Sequence, residues 1–113
     1  MNVLDMAQGS NGAVIAGGSR PLTDASAQGL QFGVRPEHIH LVDVGEPAVI
    51  QTSEYFGADT ILLCRIGEQS LQVRVPGRPG LPDGSIVQLG WEPVAMHFFD
   101  TPTGLRRDDV KPK

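Results

Sequence analysis

The amino-acid sequence predicts an all-β chain, folded as a closed or nearly closed antiparallel barrel of eight or nine short strands, with a two-sheet sandwich as the competing architecture. Three observations predict it. Apolar residues recur at a period close to two in segment after segment, and no window of a dozen residues sustains helical spacing. Fourteen glycines and nine prolines in 113 residues cut the strands short. Closing so many short strands on themselves leaves fewer edges unpaired.

The elements follow in order. Val3, Leu4 and Met6 begin a first strand, Gln8 to Gly12 reads as a hairpin turn because Asn11-Gly12 supplies positive backbone angles, and Ala13 to Ala16 returns. From Gly17 to Gln28 small and polar residues mark a loop. Leu30 to Val34 alternates as a strand; Pro36 removes a backbone donor, forces Arg35 to be extended and ends regular pairing in a tight turn at Pro36-Glu37-His38. Ile39 and Leu41 then point one way and His38 and His40 the other, until Gly45-Glu46-Pro47 closes that strand.

Ala48 to Phe56 is the next strand, Gly57-Ala58-Asp59 a turn, and Thr60 to Ile66 a strand with Leu62, Cys64 and Ile66 on its inner face. After Gly67-Glu68-Gln69, the alternation of Leu71, Val73 and Val75 with Gln72 and Arg74 is the clearest half-buried strand in the chain. Pro76 to Gly84 is a rigid exposed loop, and Ile86 to Trp91 and Val94 to Phe99 are the last strands. The organisation expected is one barrel domain over residues 1–107 and a flexible polar tail over 108–113.

Composition narrows the function. A hydrophobic fraction of 40%, charged residues at 19% and a net charge of -4 are globular values. A pI of about 5.2 argues against holding phosphate backbones, so nucleic acid is a minority reading. Four of the six aromatics, Phe32, Trp91, Phe98 and Phe99, lie in strands that need core fillers rather than on a stacking platform. The single cysteine, Cys64, sits in an apolar run and is read as a buried thiol in a reducing compartment. No apolar stretch approaches the ~20 residues that span a bilayer, and no basic segment precedes an apolar run, so neither export nor membrane insertion is expected.

The only lysines are Lys111 and Lys113, which excludes a phosphate loop built on lysine, and no Gly-x-Gly-x-x-Gly follows a strand. Independent binding of ATP or NAD is therefore not expected, and ATP and magnesium would come only through an ATPase domain. His38 and His40 share a face, but a metal site needs a third ligand, and nothing in the spacing of His97, Glu37 or Asp43 forces one. Ser53 and Ser70 lie in no nucleophile elbow, and the Asp108-Asp109 carboxylates lie in the tail, so no catalytic residue is expected.

Phe32-Gly-Val-Arg-Pro-Glu-His-Ile-His-Leu41 resembles the signature of the C-terminal regulatory domain of sugar-importer ABC ATPases of the maltose and glycerol-phosphate type. Glu54 to Thr60 resembles the family's Glu-x-x-Gly segment, Val94 to Asp100 followed by Thr103 to Arg106 its closing strand, and Met1-Asn2 its junction from ATPase domain to barrel. The resemblance covers nearly the whole chain and implies an oligonucleotide/oligosaccharide-binding (OB) type barrel, the transport-associated OB domain. It further implies a domain without its ATPase partner, one that helps pair two ATPase subunits as a homodimer, receives a regulatory protein in some members, and is cytoplasmic, peripheral to the inner membrane and joined to it only through permeases. The motif residues it singles out are Arg35, Pro36, Glu37 and His38 in the signature and Asp100 and Gly104 in the closing segment. Read locally, Arg35 and Glu37 pair with each other or cap the turn.

Two other functions compete with this one. A stand-alone barrel binding a small oxyanion or a sugar would use a rim formed by Arg74 and Arg78, and a single-strand nucleic-acid binder would need affinity that survives physiological salt.

Overall fold

The computed structural model describes residues 1–113. Its eight strands are β1 (Asn2–Gly9), β2 (Gly12–Ile15), β3 (Leu30–Val34), β4 (His40–Tyr55), β5 (Asp59–Ile66), β6 (Gln69–Pro76), β7 (Ile86–Gly90) and β8 (His97–Asp100). The only helical turns are two 3-10 turns, Pro36–His38 and Pro93–Ala95, each led by a proline whose missing N–H has no helical partner to lose. No helix is long and apolar enough to cross a membrane.

The all-β, OB-like class is the one expected, and its strands are divided between two four-stranded sheets, ordered β2-β1-β3-β8 and β6-β5-β4-β7, with every ladder antiparallel. The closed barrel that the sequence leads one to expect is therefore not formed: the strands make two separate antiparallel sheets. Side-chain amides take over where β1 meets β6. Asn2 Nδ2 donates to the Gln72 carbonyl at 2.8 Å and Asn2 Oδ1 accepts from the Gln72 amide at 2.9 Å. Three residues further along β1, the Asp5 amide donates to Gln69 Oε1 at 2.8 Å, while Gln69 Nε2 donates to the carbonyls of Asp5 and Ala16. An amide side chain carries the same donor and acceptor pair as a peptide group, so it satisfies backbone groups that a missing strand would otherwise leave to water.

The period-two pattern decides which side chains fill the space between the sheets. Leu62, Cys64 and Ile66 of β5 and Leu71, Val73 and Val75 of β6 are buried, while Gln72 and Arg74 face out. They join a cluster of 19 buried apolar residues in which Phe32 of β3 is wholly enclosed.

Three further expectations are corrected by tertiary structure. The strand expected to stop at Gly45-Glu46-Pro47 continues for 16 residues as β4. A straight strand of that length spans about 50 Å, more than the 39 Å long axis of the molecule, so β4 must bend. It does so where Leu41 and Glu46 both stand opposite Leu89, so that residues 42–45 leave the ladder, and again between Ile50 and Thr52. Gly45 is required there: a Cβ would overlap the Leu89 carbonyl oxygen and come within 2.7 Å of Val42.

The last strand begins at His97 rather than at residue 94, because Pro93 initiates a turn. The tail over 108–113, expected to be flexible, is tied down. Val110 is buried, Thr23 Oγ1 donates to the Lys111 carbonyl at 2.6 Å, and the Lys113 amide donates to the Leu22 carbonyl at 2.7 Å. One apolar residue and a few backbone donors suffice to dock six residues that composition alone describes as solvated.

Candidate functional site

The signature residues form the corner between β3 and β4. Arg35 is extended (φ -76°, ψ 144°), as a residue before proline must be, and its carbonyl accepts from the His38 amide at 3.0 Å. Ile39 is driven into the core, and Arg35, Glu37 and His38 are left exposed. Arg35 and Glu37 neither pair with each other nor cap the turn through a side chain; the ion pairs are Arg74 with Asp59, Arg106 with Asp108, Arg107 with Asp109 and Lys113 with Asp24.

Antiparallel pairing of β3 with β8 sets Gly33 opposite His97 and Leu30 opposite Asp100. The closing motif is thereby split. Asp100 lies at the far end of β3 from Arg35, where its Oδ2 accepts from the amide and the hydroxyl of Thr103 at 3.2 and 2.8 Å. Gly104 completes that turn with φ +72°, donating its amide to the Asp100 carbonyl at 2.7 Å. These two residues make a turn, while the signature residues Arg35, Pro36, Glu37 and His38 stand apart from it.

The structure instead brings His97 of the closing strand into the signature corner. Its Nδ1 is buried without a hydrogen-bond partner. Burial, then the positive charges of Arg106, Arg35 and His38, hold the imidazole below its ordinary pKa, against an opposing pull from Asp108. The folded chain thus keeps His97 neutral to lower pH than the unfolded chain does, and the unfolded chain binds the extra proton as pH falls below about 6.5. Stability drawn from His97 is complete above that pH and is lost below it. The urea midpoint should fall between pH 6.5 and 5 by less in His97→Gln than in the wild type, and an NMR titration midpoint for His97 at or above 6.5 would contradict this account.

The other candidate groups are engaged elsewhere. Arg74 Nε donates to Asp59 Oδ2 at 2.8 Å, and the Arg78 guanidinium lies over the Tyr55 ring, 4.1 Å from its centroid. Ser70 Oγ donates to Gln51 Oε1 at 3.3 Å. Burial pushes the Cys64 thiol up to about 11, which leaves it protonated and inert as a nucleophile at neutral pH. His38 and His40 are exposed neighbours, and no three His, Cys, Asp or Glu side chains converge.

The largest concavity lies at the bend of β4. It measures about 420 Å³ and is walled by Val42, Val44 and Trp91, with Arg20 and Glu46 among its polar groups. Glu46 is 1% exposed, and its carboxylate accepts from the Ser19 amide at 3.1 and 3.2 Å, the Ser19 hydroxyl at 3.3 Å and the Arg20 amide at 3.3 Å. The sequence reads Glu46 as part of the Gly45-Glu46-Pro47 segment that closes a strand. A Gly-Glu-Pro within an otherwise strand-like run was the available signal, but the partners sit 26 and 27 residues away.

Comparison with known proteins identifies the family. The TOBE domain family matches residues 32–99, the span from the core phenylalanine of β3 to the closing strand. The sn-glycerol-3-phosphate import ATP-binding protein UgpC of Cereibacter sphaeroides is 33% identical over 111 residues, which cover 94% of this chain and 32% of that protein. The protein of the same name from Paracoccus denitrificans is 31% identical over 112 residues with the same two coverages, and that of Yersinia pestis is 39% identical over 79 residues, covering 68% and 22%. The chain spans at most about a third of the length of these curated relatives. With a matching profile over more than half of its length and an all-β OB-like architecture, the chain belongs to the TOBE domain family.

Proposed function

We propose that this chain is a non-catalytic regulatory and dimerisation domain of a carbohydrate-importer ATPase subunit, working as a lever that keeps paired nucleotide domains associated. The observation that carries the proposal is the alignment of 94% of this chain with import ATP-binding proteins of which it spans 32%. The absence of a lysine-bearing phosphate loop agrees with it, since ATP and magnesium would be bound by the attached ATPase domain alone. Val44, Ile86 and Val94 are 76, 72 and 84% exposed, and a second subunit or a regulatory protein would cover such residues. The assembly would be cytoplasmic and would meet the inner membrane only through the permeases.

Two measurements test this. An antibody raised against the chain should detect a native gene product much heavier than 12.1 kDa. Deleting the region from that product should weaken subunit pairing or alter transport or its regulation. A native band at the size of this chain, or a deletion that changes none of these, removes the proposal and moves a free-standing ligand-binding barrel to first place.

A further inference from the structure

We infer that the cleft between the β4–β5 hairpin and the loop that follows β6 binds a small neutral polyol, such as a single sugar ring. The bulge between Ile50 and Thr52 decides which side chains line it. Ala48 and Ile50 are buried, and a period of two alone would carry that inner face on to Thr52 and Glu54. The extra residue shifts the pairing, so Ser53 stands opposite buried Leu62 and Tyr55 opposite buried Thr60. Glu54 is turned to the other face with Ile61, and no carboxylate borders the cleft. Arg74 also faces out and pairs with Asp59, which leaves Arg78 as the one charged group of the lining. The cleft measures about 330 Å³, within the ~300–1,000 Å³ typical of small-ligand sites. Its loop wall is fastened at both ends. The Gly77 amide donates to the Ala58 carbonyl at 2.7 Å, and the Gly84 amide to the Ile50 carbonyl at 2.7 Å. A ligand therefore orders little on binding.

The hydrogen-bonding capacity of the lining selects the ligand class. The Tyr55 hydroxyl donates to the Gly57 carbonyl at 2.5 Å and the Thr60 hydroxyl to the Gly77 carbonyl at 2.6 Å, so both oxygens are left as acceptors. The Arg78 guanidinium covers the Tyr55 ring with its face, has no carboxylate partner and offers only donors. The exposed Ser53 hydroxyl can do either. A matching ligand must both donate and accept within a few atoms, which each hydroxyl of a polyol does on one oxygen. A carboxylate or phosphate dianion has no proton to give to Tyr55 and Thr60, and an ammonium would face Arg78. An apolar ligand would strip water from these groups without replacing its bonds. An amide donates and accepts too, but it lacks the ring of C–H groups that Pro79 and Leu81 would cover. This site does not depend on an importer role for the chain.

Tyr55 is the only tyrosine, so its ring signals in NMR spectra report on the cleft directly. The full chain would be titrated with glucose, inorganic phosphate, cyclohexanol and acetamide. Saturable shifts of the Tyr55 ring and the Thr60 amide are expected at lower concentration with glucose than with any of the other three. Ser53→Ala, at an exposed position, should weaken glucose about threefold or more while leaving the thermal midpoint unchanged, and Arg78→Gln should weaken it about tenfold. Absence of saturation with glucose, equal or tighter binding of phosphate, cyclohexanol or acetamide, or undiminished binding in either variant would each overturn the assignment.

Discussion

Phe32→Ala is expected to cost about 4 kcal/mol of folding stability, within the range of ~3–5 kcal/mol for deleting a buried aromatic ring. Phe32 is 0% exposed and packs against Trp91 at 5.1 Å and Phe98 at 5.8 Å, with tilted planes at both contacts. Its strand lies between β1 and β8, which pair with it through Leu4 and Phe98. Neither neighbour can collapse into the void without breaking its own ladder, so a cavity remains. Domains of this size hold roughly 5–15 kcal/mol in total, so the variant should unfold at a much lower urea concentration. Urea titration followed by Trp91 fluorescence measures the loss, and Phe32→Leu should recover part of it. A loss below about 1 kcal/mol in Phe32→Ala would show that the sheets close over the gap.

Glu46→Leu should cost about 3 kcal/mol, although it replaces a buried charge by an apolar side chain of similar size. Exchanging a whole buried ion pair for apolar residues is often neutral, because both partners are removed together. Here the donors include the backbone amides of Ser19 and Arg20, which no side-chain substitution removes. They would be left facing a methyl group, and the loop over residues 17–28 would lose its attachment to β4. Glu46→Gln keeps one acceptor and should cost less than Glu46→Leu. The order is checked by denaturation, and by faster hydrogen exchange at Ser19 and Arg20 in Glu46→Leu. Equal stability of the two variants would mean that water reaches these amides in place of the carboxylate.

The strands were legible because their cause is local. Alternation of Leu71, Val73 and Val75 with Gln72 and Arg74 states which face of β6 is buried before any partner is known. Pro36 and Pro93 announce turns by their missing donors, and the shift of the last strand to His97 shows that a turn led by a proline takes over the first residues of the apolar run that follows it. The signature around Arg35 and His38 was visible as a motif, and its separation from Asp100 and Gly104 was not, since it depends on the direction in which β8 pairs with β3.

The sequence by itself determined the all-β class, the inward faces of β5 and β6, the turn at Pro36–His38, the buried thiol and the lack of a phosphate loop, because backbone sterics and side-chain polarity act over a few residues. Only the tertiary structure decided the long bent β4, the burial of Glu46, the amide bridges of Asn2 and Gln69, the docked tail and the unpartnered nitrogen of His97. Each of these joins groups that are tens of residues apart. A carboxylate at residue 46 is written as a polar surface residue until the amides of Ser19 and Arg20 are folded onto it. The free energy that buries it comes from those amides, not from its neighbours in the chain.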